Sequence, residues 1–217
     1  DIQLVRAAYY AMIELVDEQI GRVLDLLEET SQLERTLIIF NSDHGEMLGD
    51  HGLTRKGCRF YEGLVKVPLL WSWPALLMKG IVSDALVELT DIAPTLLEIV
   101  GLDIPRQMHG RSLLPILTGQ SPPGDHREYV RSEYYDAQEH NQAFGTMYRD
   151  SRWKLVVYHG HPFGELYDME DDPNEFTNLW DDPDVQGVKL QLMKASLDST
   201  VLAMDIGPPL SPEANVN

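Results

Sequence analysis

The run Thr36-Leu37-Ile38-Ile39-Phe40-Asn41 is apolar and β-branched without alternation, and it stops at Ser42-Asp43-His44-Gly45. Such a run reads as a short strand covered on both faces. Its carboxyl end then presents a carboxylate and an imidazole in a glycine-rich loop that continues through Gly49-Asp50-His51-Gly52 to Lys56. Open α/β sheets place their ligands at such strand ends, where loops escape the helical layers. Adjacent side chains of a straight strand point to opposite faces, so Asp43 and His44 reach one ion only if the backbone turns, and Gly45 makes that turn easy. A carboxylate and a neutral imidazole suit a hard or borderline divalent cation, and a nearby lysine can neutralise an anion bound to it. Metal-assisted hydrolysis of an anionic ester is the reaction class this combination points to. An isolated Asp-His pair is more often a helix cap beside a surface histidine, so the surrounding residues have to decide.

Upstream, Tyr9, Met12, Ile13, Val16, Ile20 and Val23 recur at intervals of three and four, which predicts an amphipathic helix from about Leu4 to Glu29. Helix, short turn and buried strand suggest an α/β sheet with helical layers. After the loop, the apolar residues between Val65 and Trp71 predict a second strand, and Val82 to Leu89 a third. Thr90 or Asp91 can then cap a helix to Val100, with Pro94 in its first turn and Gly101 just past its end. The Pro-, Gly- and Ser-rich stretch from Pro105 to Gly124, with an apolar patch at Leu113 to Leu117, reads as a boundary. It divides an α/β portion, residues 1–124, from a small C-terminal α+β subdomain, residues 125–217. There, short strands are predicted at Glu128 to Ser132, Thr146 to Arg149, Trp153 to Tyr158 and Glu165 to Tyr167, forming an antiparallel sheet. A helix from Val185 to Met204 should pack on it, and the tail from Gly207 to Asn217 reads as irregular.

Charge narrows the partners. With 35 acidic against 17 basic residues, a formal charge of −18 argues against nucleic acid or an anionic membrane surface. Any anionic substrate has to be held by local charge, and Arg55, Lys56 and Arg59 lie within five positions of one another. No run approaches the roughly 20 apolar residues of a membrane-spanning helix. The single cysteine, Cys58, rules out an internal disulfide framework and favours a cytoplasmic setting, while leaving a periplasmic or secreted one open.

The run from Ser42 to Gly52, followed by Lys56-Gly57, Tyr61-Glu62-Gly63 and Val67-Pro68-Leu69, resembles the metal- and anion-binding segment of the sulfatases, members of the alkaline phosphatase superfamily. The similarity extends to Tyr9-Tyr10-Ala11 through Gly21, to Gly110-Arg111-Ser112-Leu113-Leu114-Pro115, and to Glu165-Leu166-Tyr167-Asp168 with Asp171-Asp172-Pro173-Asn174-Glu175 and Asn178-Leu179. Arylsulfatases, choline sulfatases and phosphonate monoester hydrolases share this pattern. The resemblance implies part of an alkaline-phosphatase-like sheet with helical layers, followed by the small antiparallel subdomain. It implies that Asp43 and His44 ligate a divalent cation, usually Ca2+, with Mn2+ or Zn2+ as alternatives. Lys56 would contact the sulfate and stabilise charge on the bridging oxygen as the ester breaks. His51 would line the pocket or orient the loop.

Sulfatases use a formylglycine made from the Cys or Ser of a Cys/Ser-x-Pro/Ala-x-Arg motif, and nothing in this sequence matches it. Cys58 is followed by Arg59, Phe60 and Tyr61 and reads as an ordinary thiol near the site. The chain is therefore expected to be the C-terminal part of such an enzyme, whose N-terminal part supplies the nucleophile and further carboxylates. On that expectation, the chain alone binds calcium weakly, has no turnover, and exposes a face that the N-terminal part or a second copy covers. A small sulfate ester is the expected substrate, with a phosphonate monoester or phosphodiester as the alternative; a non-catalytic assembly domain is the remaining reading. His159 and His161 read as a turn, and His109, His126 and His140 as loop residues without evident partners. Trp71-Ser72-Trp73-Pro74 and Tyr134-Tyr135 read as packing.

Overall fold

The structure, a computed structural model, describes residues 1–136 and 142–204. His140 and the tail from Gly207 lie outside the described residues. Helix α1 spans Ile2–Glu29, and its N-terminus is capped by the Asp1 side chain, which accepts from the Gln3 N–H at 2.9 Å. The apolar periodicity that predicted it is intact, yet none of its residues is buried. Leu4, Met12, Leu15 and Val23 are all more than half exposed. Polar bonds help tie α1 to the rest: Arg6 Nε donates to Leu48 O at 2.6 Å, and its guanidinium pairs with Asp50 at 3.3 Å, while the Ile2 side chain sits over Gly49.

Strand β1 (Ile38–Asn41) pairs antiparallel with β2 (Leu69–Ser72), Ile38 opposite Ser72 and Asn41 opposite Leu69. The expectation of a strand covered on both faces is corrected: Phe40 is 41% and Leu70 58% exposed. Phe40 and Leu70 stand opposite each other in the pair, so the face they share stays open, and among the described residues the two strands have only each other as sheet neighbours. The second strand is also shorter than predicted. Tyr61 O accepts from the N–H groups of Leu64 and Val65, winding Glu62–Val65 into one helical turn, α2. Pro68, which has no N–H and keeps the residue before it extended, then sits where β2 begins.

No strand forms over Val82 to Leu89, a second correction. Val82 is 90% exposed, and the Ser83 hydroxyl bonds the Pro123 carbonyl while accepting from Ala85 N–H, a local arrangement that competes with a ladder. The segment ends in a capping box in which the Glu88 and Asp91 side chains and backbone N–H groups satisfy each other. Helix α3 (Ile92–Ile99) follows, stopped by Gly101 at φ 73°. The Pro- and Gly-rich stretch beyond it is tethered: Arg111 N–H donates to Asp91, Leu113 N–H to Thr95 Oγ1, and a one-turn helix α4 (Leu114–Leu117) buries Ile116.

Strands β3 (Tyr129–Tyr135), β4 (Phe144–Asp150), β5 (Trp153–Tyr158) and β6 (Gly164–Asp168) form an antiparallel meander in chain order. Strict alternation gives this sheet two apolar faces. Tyr148, Leu155 and Leu166 point one way and meet Leu192 of helix α5 (Gln186–Leu202). Met147, Val156 and Tyr158 point the other way and meet Cys58 and Phe60. Phe60 is 2% exposed, and burying a side chain of that size contributes about 1.5–3 kcal/mol. The sheet therefore grips the chain only a few residues beyond Lys56.

Candidate active site

Beyond β1 the chain folds on itself. The Asp43 carboxylate accepts from His44 N–H at 3.0 Å, and the Ser42 hydroxyl donates to His44 O at 2.7 Å. Gly45 N–H donates to Leu64 O of α2 at 2.8 Å, which pins the loop to the following turn. Gly45 is not in the left-handed region, so its role differs from the one the sequence suggested. What requires glycine is proximity: a Cβ there would overlap the Gly63 carbonyl oxygen and come within 2.9 Å of its carbon. Close backbone contact, not turn flexibility, selects the residue.

The loop brings Asp43, His44 and Lys56 together. His44 Nδ1 lies 2.8 Å from Gly45 O, and because a carbonyl only accepts, Nδ1 carries the proton. That leaves the Nε2 lone pair facing outward, where Lys56 Nζ donates to it at 2.7 Å. Asp43 Oδ2 lies 3.6 Å from the same Nε2. The His44 N–H bond, followed by the adjacent His44 ring, holds the Asp43 carboxyl below the usual carboxylate range, with Lys56 adding to the effect. Adjacent ligands on a hard cation stand roughly 3–3.5 Å apart, so an outward imidazole lone pair beside an ionised carboxylate oxygen fits one ion. The backbone bond at Nδ1 is the outer-shell contact that fixes the tautomer of a ligating histidine. Among the described residues, no group of three or more His, Cys, Asp or Glu side chains converges as a complete metal site. Asp43 and His44 form half a site at most.

The three groups open onto a broad hollow of about 1500 Å³, walled by Glu62, Trp71, Glu88 and Tyr134 among others. His51 stands elsewhere. Its backbone is left-handed, φ 52°, and its ring stacks on Tyr61 at 4.0 Å, bordering a separate hollow of about 580 Å³ with Cys58, Arg59 and Glu165. His51 lines this hollow and not the one onto which Lys56 opens. Cys58 is buried, and that burial pushes its thiol upward, away from a reactive thiolate.

Two arrangements escaped the sequence reading. His126 has a partner after all: its Nε2 lies 3.1 Å from Asp91 Oδ2, and Asp91 is wholly buried, paired also with Arg127. Burial works to raise the Asp91 carboxyl, yet bonds from His126 and from the Glu88 and Arg111 backbones, with the charge of Arg127, outweigh it and leave it lowered. The second is Lys154, completely buried on β5 with Glu175 and Glu62 around its ammonium. A single lysine among Trp153, Leu155, Val156 and Val157 was the available signal. His159 bonds Thr146 Oγ1 and His161 stacks on Phe163, so both sit in the β5–β6 turn region as expected.

Residues 49–201 match the family described as N-sulphoglucosamine sulphohydrolase, C-terminal. An arylsulfatase of Clostridium perfringens is 36% identical over 181 residues, covering 82% of this chain and 36% of that protein. A phosphonate monoester hydrolase from Silicibacter pomeroyi superposes with a TM-score of 0.85 at 33% identity, over 94% of this chain and 42% of the other. A protein solved in complex with its substrate D-glucosamine-2-N,6-O-disulfate superposes with a TM-score of 0.80 at 32% identity, over 90% and 40%. The chain spans about a third of the length of the curated relatives it matches.

Proposed function

This chain belongs to the sulfatase family, and on that premise we propose that it serves as the C-terminal part of an enzyme that hydrolyses sulfate esters. The observation that carries the reading is the convergence of Asp43, His44 Nε2 and Lys56 Nζ on one open surface. When bound there, a divalent cation, Ca2+ before Mn2+ or Zn2+, supplies Lewis-acid polarisation of the ester oxygens. Asp43, kept ionised, and His44, kept in the Nδ1–H tautomer, would hold it. Lys56 then turns from the imidazole to the anion, where its ammonium neutralises charge as the bridging oxygen departs. In this reading the nucleophile, a formylglycine, belongs to an N-terminal part of the enzyme, and the open faces of α1 and of the β1–β2 pair suit contact with that part.

The phosphonate monoester hydrolase superposition, at a TM-score of 0.85, favours phosphonate monoesters as a second reading. For the chain on its own, two candidate ligands without a third among the described residues favour a non-catalytic module. Steady-state rates of the protein carrying its N-terminal part, measured on matched aryl sulfate, phosphate and phosphonate esters, separate these. Turnover of phosphorus esters alone removes the sulfatase reading. Lys56→Ala should lower kcat on the preferred ester by about 10²–10³-fold, the usual effect of losing one charge-stabilising donor.

A further inference from the structure

The turn that braces Asp43-His44-Gly45 is itself held from a distance. Leu64 O, which receives the Gly45 N–H, belongs to α2, and two anchors, one from strand β5 and one from the loop after β6, hold the chain where it enters α2. Lys154 Nζ donates to Phe60 O at 3.0 Å. Glu175 Oε2 accepts from Glu62 N–H at 2.7 Å across 113 residues of sequence. Lys154 and Glu175 pair with each other at 2.6 Å, their side chains 0% and 2% exposed. Glu62 Oε1 lies 2.7 Å from Lys154 Nζ, an ion pair by distance with an angle poor for a hydrogen bond, and Glu62 Oε2 faces Arg149 at 3.6 Å.

A buried ion pair rarely recovers its desolvation, so stability is a weak reason for this one, and fixing a geometry is the better-attested use. Strand alternation puts Lys154 on the face of Val156 and Tyr158, over which residues 58–62 pass. Glu175 reaches the same point from a left-handed backbone, φ 60°, a conformation disfavoured for any residue with a Cβ. Two unfavourable features converge on α2.

We infer that the buried Lys154–Glu175 pair is a positioning device for the Asp43–His44 loop. It sets where α2 stands, and the Leu64 carbonyl of α2 sets where the loop turns. Its purpose rests on the reading of Asp43 and His44 as ligands; its geometry does not.

The test is amide hydrogen exchange, read by NMR, on the 217-residue chain and on Lys154→Met, Glu175→Gln and Lys154→Arg. The Gly45 N–H should exchange at least about tenfold faster in Lys154→Met and Glu175→Gln, relative to the Leu155 and Leu166 N–H groups of the sheet, because local opening at the loop no longer has the brace to overcome. The His44 ring nitrogens should move toward the shifts of a free imidazole as the Nδ1–H preference weakens. Lys154→Arg, which keeps a cation in place, should restore most of both. If Lys154→Met does not fold, Glu175→Gln carries the comparison, since its amide oxygen can still accept one bond. An unchanged Gly45, or equal acceleration of Gly45 and the sheet amides in every variant, overturns the inference. Titration with Ca2+ of the protein carrying its N-terminal part is a separate question: if millimolar Ca2+ leaves the Asp43 and His44 signals unmoved there, the ligand reading falls and the brace stands.

Discussion

Gly45→Ala is the sharpest small change this structure offers. The new methyl would overlap Gly63 O, sit 2.9 Å from the Gly63 carbonyl carbon and 3.2 Å from Leu64 Cα, all backbone atoms with no rotamer to yield. Relief requires the β1 loop and α2 to separate. Overpacking of this kind costs about 1–3 kcal/mol. Separation also loses the Gly45 N–H to Leu64 O bond, worth about 1 kcal/mol. Together these predict a loss of about 2–4 kcal/mol, or a fall in Tm of roughly 6–12 °C at the middle of that range for a chain of this size. Urea denaturation followed by circular dichroism reads it directly. Gly21→Ala is the control: inside α1, with nothing within 4 Å of a new Cβ, it should stabilise by up to about 1 kcal/mol through helix propensity. A Gly45→Ala protein within about 0.5 kcal/mol of the parent would refute the close-contact account.

The lowered Asp91 carboxyl contributes stability that is present above the ordinary carboxylate range and lost as pH falls through its folded value. Asp91→Asn should therefore cost about 3 kcal/mol near pH 7, with the gap to the parent closing below about pH 4 in urea midpoints against pH. Met12→Lys with Leu15→Lys should leave stability within about 0.5 kcal/mol, because both side chains are already exposed, while reducing self-association in sedimentation velocity. Gly164→Ala would press a methyl into the Trp180 ring, 2.6 Å from Cε3, lowering stability by about 1–3 kcal/mol and altering tryptophan emission.

Where local pattern decides, the sequence was readable. Trp153 to Tyr158 begins and ends as a strand where its alternation predicts, and the meander follows from four such runs separated by turns. Helix α1 and the gathering of Asp43, His44 and Lys56 likewise follow from short-range spacing. What was not readable depends on long-range partners. An apolar run such as Ile38 to Phe40 states that burial is wanted without stating by what, so its exposed face was missed. His126 finds Asp91 35 residues away, and neither residue's neighbours announce the other. Gly45 was identified for the wrong reason, since a glycine chosen for a neighbour's backbone looks the same in sequence as one chosen for a turn.

The meander order has a consequence for assembly. Each of β3 to β5 pairs with its immediate successor, the kind of nearby pairing that forms early and quickly. Residues 43–64 leave the ribosome long before it, yet the bonds that seat Phe60 and Glu62 span 94 and 113 positions. During synthesis the ligand-bearing loop must therefore wait for a template made after it. A nascent chain halted short of Glu175 would carry all three of Asp43, His44 and Lys56 and still lack the mould that shapes them.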